Sequence, residues 1–238
     1  MLSRIFRGGV LAVFACCAVS ASLAQDKKPE HPKAPEAKKP ELPKPADAKA
    51  AAGQGADDAM KKMMEACEKA GALGDQHKQL GYMVGDWTYV NKMWMDPSAP
   101  PMESTGTCTT KAIWDGRYYH SDHSGKMMMP DATGKMTEKQ FMGTAITGYD
   151  NMKQKFVSCW IDNMGTGIMM SEGTYDPATK AYTYISDMDD PMMPGTKVKV
   201  REVIKVLDKD KHTLEWYETR EGKEMKTMEI TYTRKGAA

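Results

Sequence analysis

Motifs that announce a reaction are what this sequence lacks. No Gly-x-Ser-x-Gly elbow, His-Glu-x-x-His helix, Cys-x-x-Cys pair, P-loop or dinucleotide fingerprint occurs in it. Their absence argues against an enzyme of a familiar class. A hydrolase or isomerase built on Glu202 or Asp162 would need at least two polar groups converging in one pocket. Neither sign of charge predominates, with 33 basic against 32 acidic residues. Taking away residues 1–24 removes Arg4 and Arg7, leaving 31 against 32 and a net charge of −1. Nucleic acid and anionic membrane therefore have no electrostatic claim as partners. Leucine is scarce, with only Leu73, Leu80, Leu207 and Leu214 from position 73 onward.

The N-terminus reads as a secretory signal peptide, residues 1–24. Arg4 and Arg7 form a positive region, Val10 to Val19 an apolar region too short to span a bilayer, and Ser22-Leu23-Ala24 a small-residue cleavage site. The expected location is periplasmic or extracellular, with no transmembrane segment in the mature chain. Val13-Phe14-Ala15-Cys16 loosely resembles a lipobox, but Phe14 fits it badly and the Ala24 site competes, which disfavours a lipid anchor. Only Cys67, Cys108 and Cys159 then remain, an odd number whose pairing cannot be read from sequence.

Residues 25–56 are dominated by Pro, Lys, Glu and Ala, and Leu42 is their one large aliphatic residue. Such a stretch cannot bury enough surface to offset ordering entropy and predicts a disordered tether. An amphipathic helix follows over 57–72, with Met60, Met63, Met64 and Cys67 on one stripe that reads as a packing face. A second short helical segment, Asp75 to Tyr82, carries Leu73, Leu80 and Met83 towards the domain of residues 73–236.

That domain is read as almost all strand. Ten segments qualify: Trp87–Met95, Glu103–Trp114, Arg117–Met127, Thr137–Tyr149, Lys155–Met164, Ile168–Tyr175, Ala181–Ser186, Thr196–Leu207, Thr213–Thr219 and Met225–Arg234. Turn residues such as Asp150-Asn151 and Asp176-Pro177 separate them. Val198, Val200, Ile204 and Val206 share one face while Lys197, Lys199, Arg201 and Lys205 share the other, as an antiparallel sheet with one wet face requires. Phe156, Ser158 and Trp160 alternate with Val157, Cys159 and Ile161, so that strand is either covered on both sides or lines a cavity. Without crossover helices, the alternatives are a sandwich and an up-and-down barrel.

Gly85-Asp86-Trp87 opening the first strand and Tyr232-Thr233-Arg234 ending the last resemble the lipocalin-like (calycin) arrangement. The resemblance implies that Arg234 lies across the Trp87 indole, a cation–π contact that closes the barrel. It also places Leu80 and Met83 near that indole. Val84-Gly85-Asp86-Trp87, Glu103-Ser104-Thr105-Gly106-Thr107, Gly148-Tyr149-Asp150, Trp160-Ile161-Asp162, Glu172-Gly173-Thr174-Tyr175-Asp176 and Tyr232-Thr233-Arg234 are similar to a bacterial domain-of-unknown-function family, number fifteen seventy-nine. This implies an all-β, antiparallel, calycin-like barrel of about ten strands. It supplies no catalytic residue.

Candidate ligand residues come from alternation. Asn91 interrupts the apolar face of Trp87, Tyr89 and Met93, and Glu202 that of Val198, Val200 and Ile204. A polar group there needs a partner, a water or a ligand, although a bulge near Glu202-Val203 would turn Glu202 outward. Trp160 and Asp162 are similar, with Asp162 serving either a cavity or the end of a loop. The expected function is non-enzymatic binding of a small apolar ligand, without a cofactor, or else a filled scaffold. The alternative is copper handling by His120, His123, Met127, Met128 and Met129, prompted by 22 methionines. Against it, His120 and His123 are three apart on a strand and point to opposite faces, and Met can simply stand where Leu would in the core.

Overall fold

The computed structural model describes residues 54–190 and 193–236. The signal peptide, nearly all of the tether, and Met192 lie outside the described residues. Helix α1 spans Gln54–Gly71, so its first turn takes in the last residues assigned to the tether. Met60, Met63 and Met64 on it are 54%, 56% and 64% exposed, and Cys67 is an exposed free thiol.

Ten strands follow the short helix α2 (Asp75–Gln79) and a 3₁₀ turn, Leu80–Met83. They are β1 Gly85–Met93, β2 Met102–Ile113, β3 Tyr118–Pro130, β4 Met136–Asp150 and β5 Lys155–Asp162. The remainder are β6 Met169–Asp176, β7 Ala181–Asp189, β8 Lys197–Val206, β9 Lys211–Arg220 and β10 Lys223–Arg234. Each pairs antiparallel with its sequence neighbour, and β1 pairs with β10, so the sheet closes into a barrel. Closure means that neither the first strand nor the last is left as a free edge.

Three devices make the seam between β1 and β10. Trp87 lies opposite Arg234 in register, and the guanidinium carbon stands 4.1 Å from the indole centroid. Arg234 also donates to the carbonyls of Val84 (2.6 Å), Tyr82 (3.1 Å) and Lys209 (2.9 Å). Gly85 has φ 128°, and a Cβ there would collide with the Arg234 guanidinium, so glycine is required twice over.

α2 and the 3₁₀ turn cover the end of the barrel where this seam begins. Trp87 Nε1 donates to the Met83 carbonyl at 2.8 Å, and Tyr119 OH donates to the His77 carbonyl at 2.9 Å. Leu80 is buried against Tyr119, Phe156, Tyr182 and Tyr184 rather than against the indole. Trp87 instead packs with Tyr89, Cys108 and Tyr232. Met83 packs against the same cluster as Leu80, and it is the Met83 carbonyl that meets the indole. Leu73 is 37% exposed.

Methionine does not take the place of leucine in this core. Seven of the twelve buried hydrophobic residues are aromatic, five of them Tyr, and none among the described residues is Met. Met128, Met142, Met152, Met170 and Met193 are exposed, while Met93, Met127, Met164, Met169, Met188 and Met228 border an internal space. Thioether chains are flexible and suit such a loosely packed lining.

Candidate functional site

Alternation sends every second side chain of each strand inward, and here those chains do not fill the interior. A cavity of about 780 Å³ remains along the barrel. Tyr82, Met83, Trp87 and His212 border it at the helix-covered end. At the other end its lining includes Trp94 after β1, Met164 to Ile168 between β5 and β6, and Asp189 and Lys197 beside the β7–β8 loop. That rim is tied together by Arg220, which pairs with Asp190 and with Glu218 at 3.0 Å, while Thr227 donates to Glu218 at 3.3 Å. Thr227 reaches inward because a bulge between Lys226 and Met228 shifts the register of β10 against β9.

Asn91, Trp160, Asp162 and Glu202 all line this one cavity. Asn91 donates from Nδ2 to Ser104 Oγ at 3.4 Å, but its buried Oδ1 has no partner. Trp160 Nε1 donates to Asp162 Oδ2 at 2.7 Å. The other Asp162 oxygen accepts the backbone N–H groups of Met164 (2.9 Å) and Gly165 (3.2 Å). Asp162 thus terminates a loop and orients a cavity-lining indole at once. No bulge occurs on β8, and Glu202 points inward between Tyr184 of β7 and Trp216 of β9.

Glu202 makes no hydrogen bond or ion pair to another described side chain; it is half-buried and lines the cavity. Burial raises its carboxyl pKa to about 7. Two imidazoles behave in the opposite sense. Burial pulls His123 down to about 4, against the Ser121 backbone and the Asp122 charge. Burial, helped by the charges of Arg234 and His123, pulls His212 to about 3. Both rings are therefore neutral near pH 7.

The neutral rings belong to an aromatic cluster. His212 stacks on Tyr232 with centroids 4.5 Å apart and meets the Trp87 ring edge-on at 4.6 Å. Tyr232 OH and His123 Nε2 are 3.3 Å apart, and His123 also abuts Trp160 at 5.2 Å. Burial lifts the Tyr232, Tyr184 and Tyr82 hydroxyls well above the usual phenol range, and the Glu202 charge adds to each. Tyr89 lies across Gly106 and Gly125 on the neighbouring strands, where any Cβ would strike its hydroxyl end.

The proposed copper set is not brought together. His120 is on the outer face, with Nε2 2.9 Å from Thr144 Oγ1 and 3.5 Å from Asp122, whereas His123 is inside. Met127 borders the cavity, Met128 is exposed and Met129 is half-buried. No group of three or more His, Cys, Asp or Glu side chains suited to a metal occurs among the described residues. His212 escaped the sequence reading, although the signal existed: His212, Leu214, Trp216 and Glu218 alternate on one face of β9.

The family described as a protein of unknown function (DUF1579) matches residues 72–234, the α2 segment and the whole barrel. No curated protein matches the chain.

Proposed function

The chain belongs to the DUF1579 family, and we propose that it is an exported, non-enzymatic barrel that binds a small, largely apolar molecule in its interior. The observation that carries this reading is the cavity of about 780 Å³ walled by aromatic rings. Ligand pockets typically measure about 300–1,000 Å³, mostly apolar with a few placed polar groups. A small barrel either fills its interior with side chains or holds one ligand, and a filled scaffold would leave no such space. The unpartnered Asn91 Oδ1 and the free Glu202 carboxyl supply the placed polar groups. Export is supported by the leader-like residues 1–24.

Native mass spectrometry of the protein purified from its producing cells without denaturation is the direct test, with titration of the neutral apolar dye N-phenylnaphthylamine alongside. The expected result is a retained mass, or saturable one-to-one dye binding by protein that arrives empty. Neither a retained mass nor saturable binding would overturn the reading.

A further inference from the structure

The cavity has a charge of its own. Its lining carries Asp162, Asp187, Asp189, Glu202 and Glu218 against Lys126 and Lys197. Both lysines are already paired, Lys126 with Glu138 at 2.7 Å and Lys197 with Asp189. Glu218 is held by Arg220, and Asp162 by an indole and two backbone N–H groups. Both cavity imidazoles are held neutral by burial. Glu202 is left as the one acid of the deep interior without a partner among the described residues.

Glu202 is also flanked by aromatic residues. Tyr184 and Trp216 flank it in register on β7 and β9. Tyr82 of the 3₁₀ turn and Tyr232 of β10 line the same cavity, and the Glu202 charge raises both phenols. Directly opposed side chains on neighbouring strands come within about 5 Å at Cβ, so Tyr184 and Trp216 stand beside the carboxylate. A buried carboxylate is stable only when paired, and aromatic faces attract cations through their quadrupole. A carboxylate among aromatic rings, with no cation of the protein beside it, is complementary to an ammonium group.

Resting on the cavity-binding reading above, we propose that the ligand is an organic amine: an apolar body filling the barrel, with a protonated nitrogen set between Glu202 and the rings of Tyr184, Trp216, Tyr82 and Tyr232. The groups facing Glu202 from β7, the 3₁₀ turn and β10 are phenols whose ionisation lies above neutrality. His212 of β9 stays neutral there. Glu202 is thus the group whose charge changes near pH 7. Its ionisation favours a cation, so affinity for an amine rises with pH through that range and levels off above it.

The test compares three isosteric probes by calorimetry on the intact protein: naphthylmethylamine, naphthylmethanol and naphthoate. The amine is expected to bind roughly tenfold to hundredfold more tightly than the alcohol at about pH 8, as a charge-assisted hydrogen bond allows, and the naphthoate most weakly. Glu202→Gln is expected to remove the amine's advantage and its pH dependence while the alcohol's affinity is kept, which shows that the variant is folded. Glu202→Asp should retain part of the advantage. Alcohol binding without any preference for the amine, or an amine affinity that falls as pH rises through 7, would overturn the amine inference and leave the cavity reading standing. Failure of all three probes to bind would overturn both.

Discussion

Glu202 illustrates how one residue works against the fold that holds it. A glutamate with its folded pKa raised from 4.5 to about 7 stays protonated in the barrel while the unfolded chain ionises. Its contribution is therefore harmless below the unfolded value, and stability is lost as pH rises from there through 7. A shift of that size corresponds to a cost on the order of 3 kcal/mol above pH 7. His123 and His212 run the other way: their folded pKa values are depressed, so their stabilisation is full above the unfolded value and lost as pH falls towards about 4 and 3. Glu202→Gln is expected to match the wild type in urea denaturation near pH 4 and to exceed it by about 1–3 kcal/mol near pH 8. An unchanged difference across that range would mean that the carboxyl is not desolvated. A residue that destabilises its own fold is where a stability cost for function is expected.

Between elements, the decisive contact is β1 with β10. Every other pairing joins strands adjacent in sequence, whereas this one joins the two ends of the barrel. Trp87, 1% exposed, anchors it from β1, and Arg234 covers the indole from β10 while binding three backbone carbonyls. Trp87→Ala is expected to cost about 3–5 kcal/mol as a large truncation in a packed site. Arg234→Ala should cost less, through lost stacking, stem packing and the orphaned carbonyls. In a double-mutant cycle by chemical denaturation, the two should couple by about 0.5–2 kcal/mol, because they touch. Strictly additive effects would show that the stacked guanidinium contributes nothing to the seam. α2 and the 3₁₀ turn lean on the same region through Met83 and its bond to the indole, so the cover and the closure form one structural unit.

The whole molecule joins a leader-like start and a Pro- and Lys-rich stretch to a barrel covered at one end. Three free cysteines, one exposed, one buried and one half-buried, place no disulfide among the described residues. Sheet closure and aromatic packing hold the described part of the fold without one. If residues 1–24 are a cleaved leader, protein recovered from the producing cells begins at Gln25 and fractionates with the envelope or medium. N-terminal sequencing that finds Met1, with the protein in the cytoplasmic fraction, would refute export.

Alternation was enough to set Asn91 on the face of Trp87 and Tyr89, and turn residues with β-branched runs marked ten strands near their true limits. Both signals are local, because side chains alternate with a period of two whatever the strand pairs with. The choice between barrel and sandwich was not local; it depends on β1 meeting β10, and only the resemblance around Trp87 and Arg234 pointed to it. Whether Glu202 faced in or out turned on a bulge, and the bulge lies instead at Thr227 on another strand. His123 and Tyr232 meet across 109 residues, and no periodicity within either strand foretells that. The open interior was beyond any strand-by-strand reading as well. A cavity is the difference between the volume ten closed strands enclose and the volume their inward side chains occupy, and only the tertiary structure sets the first of these.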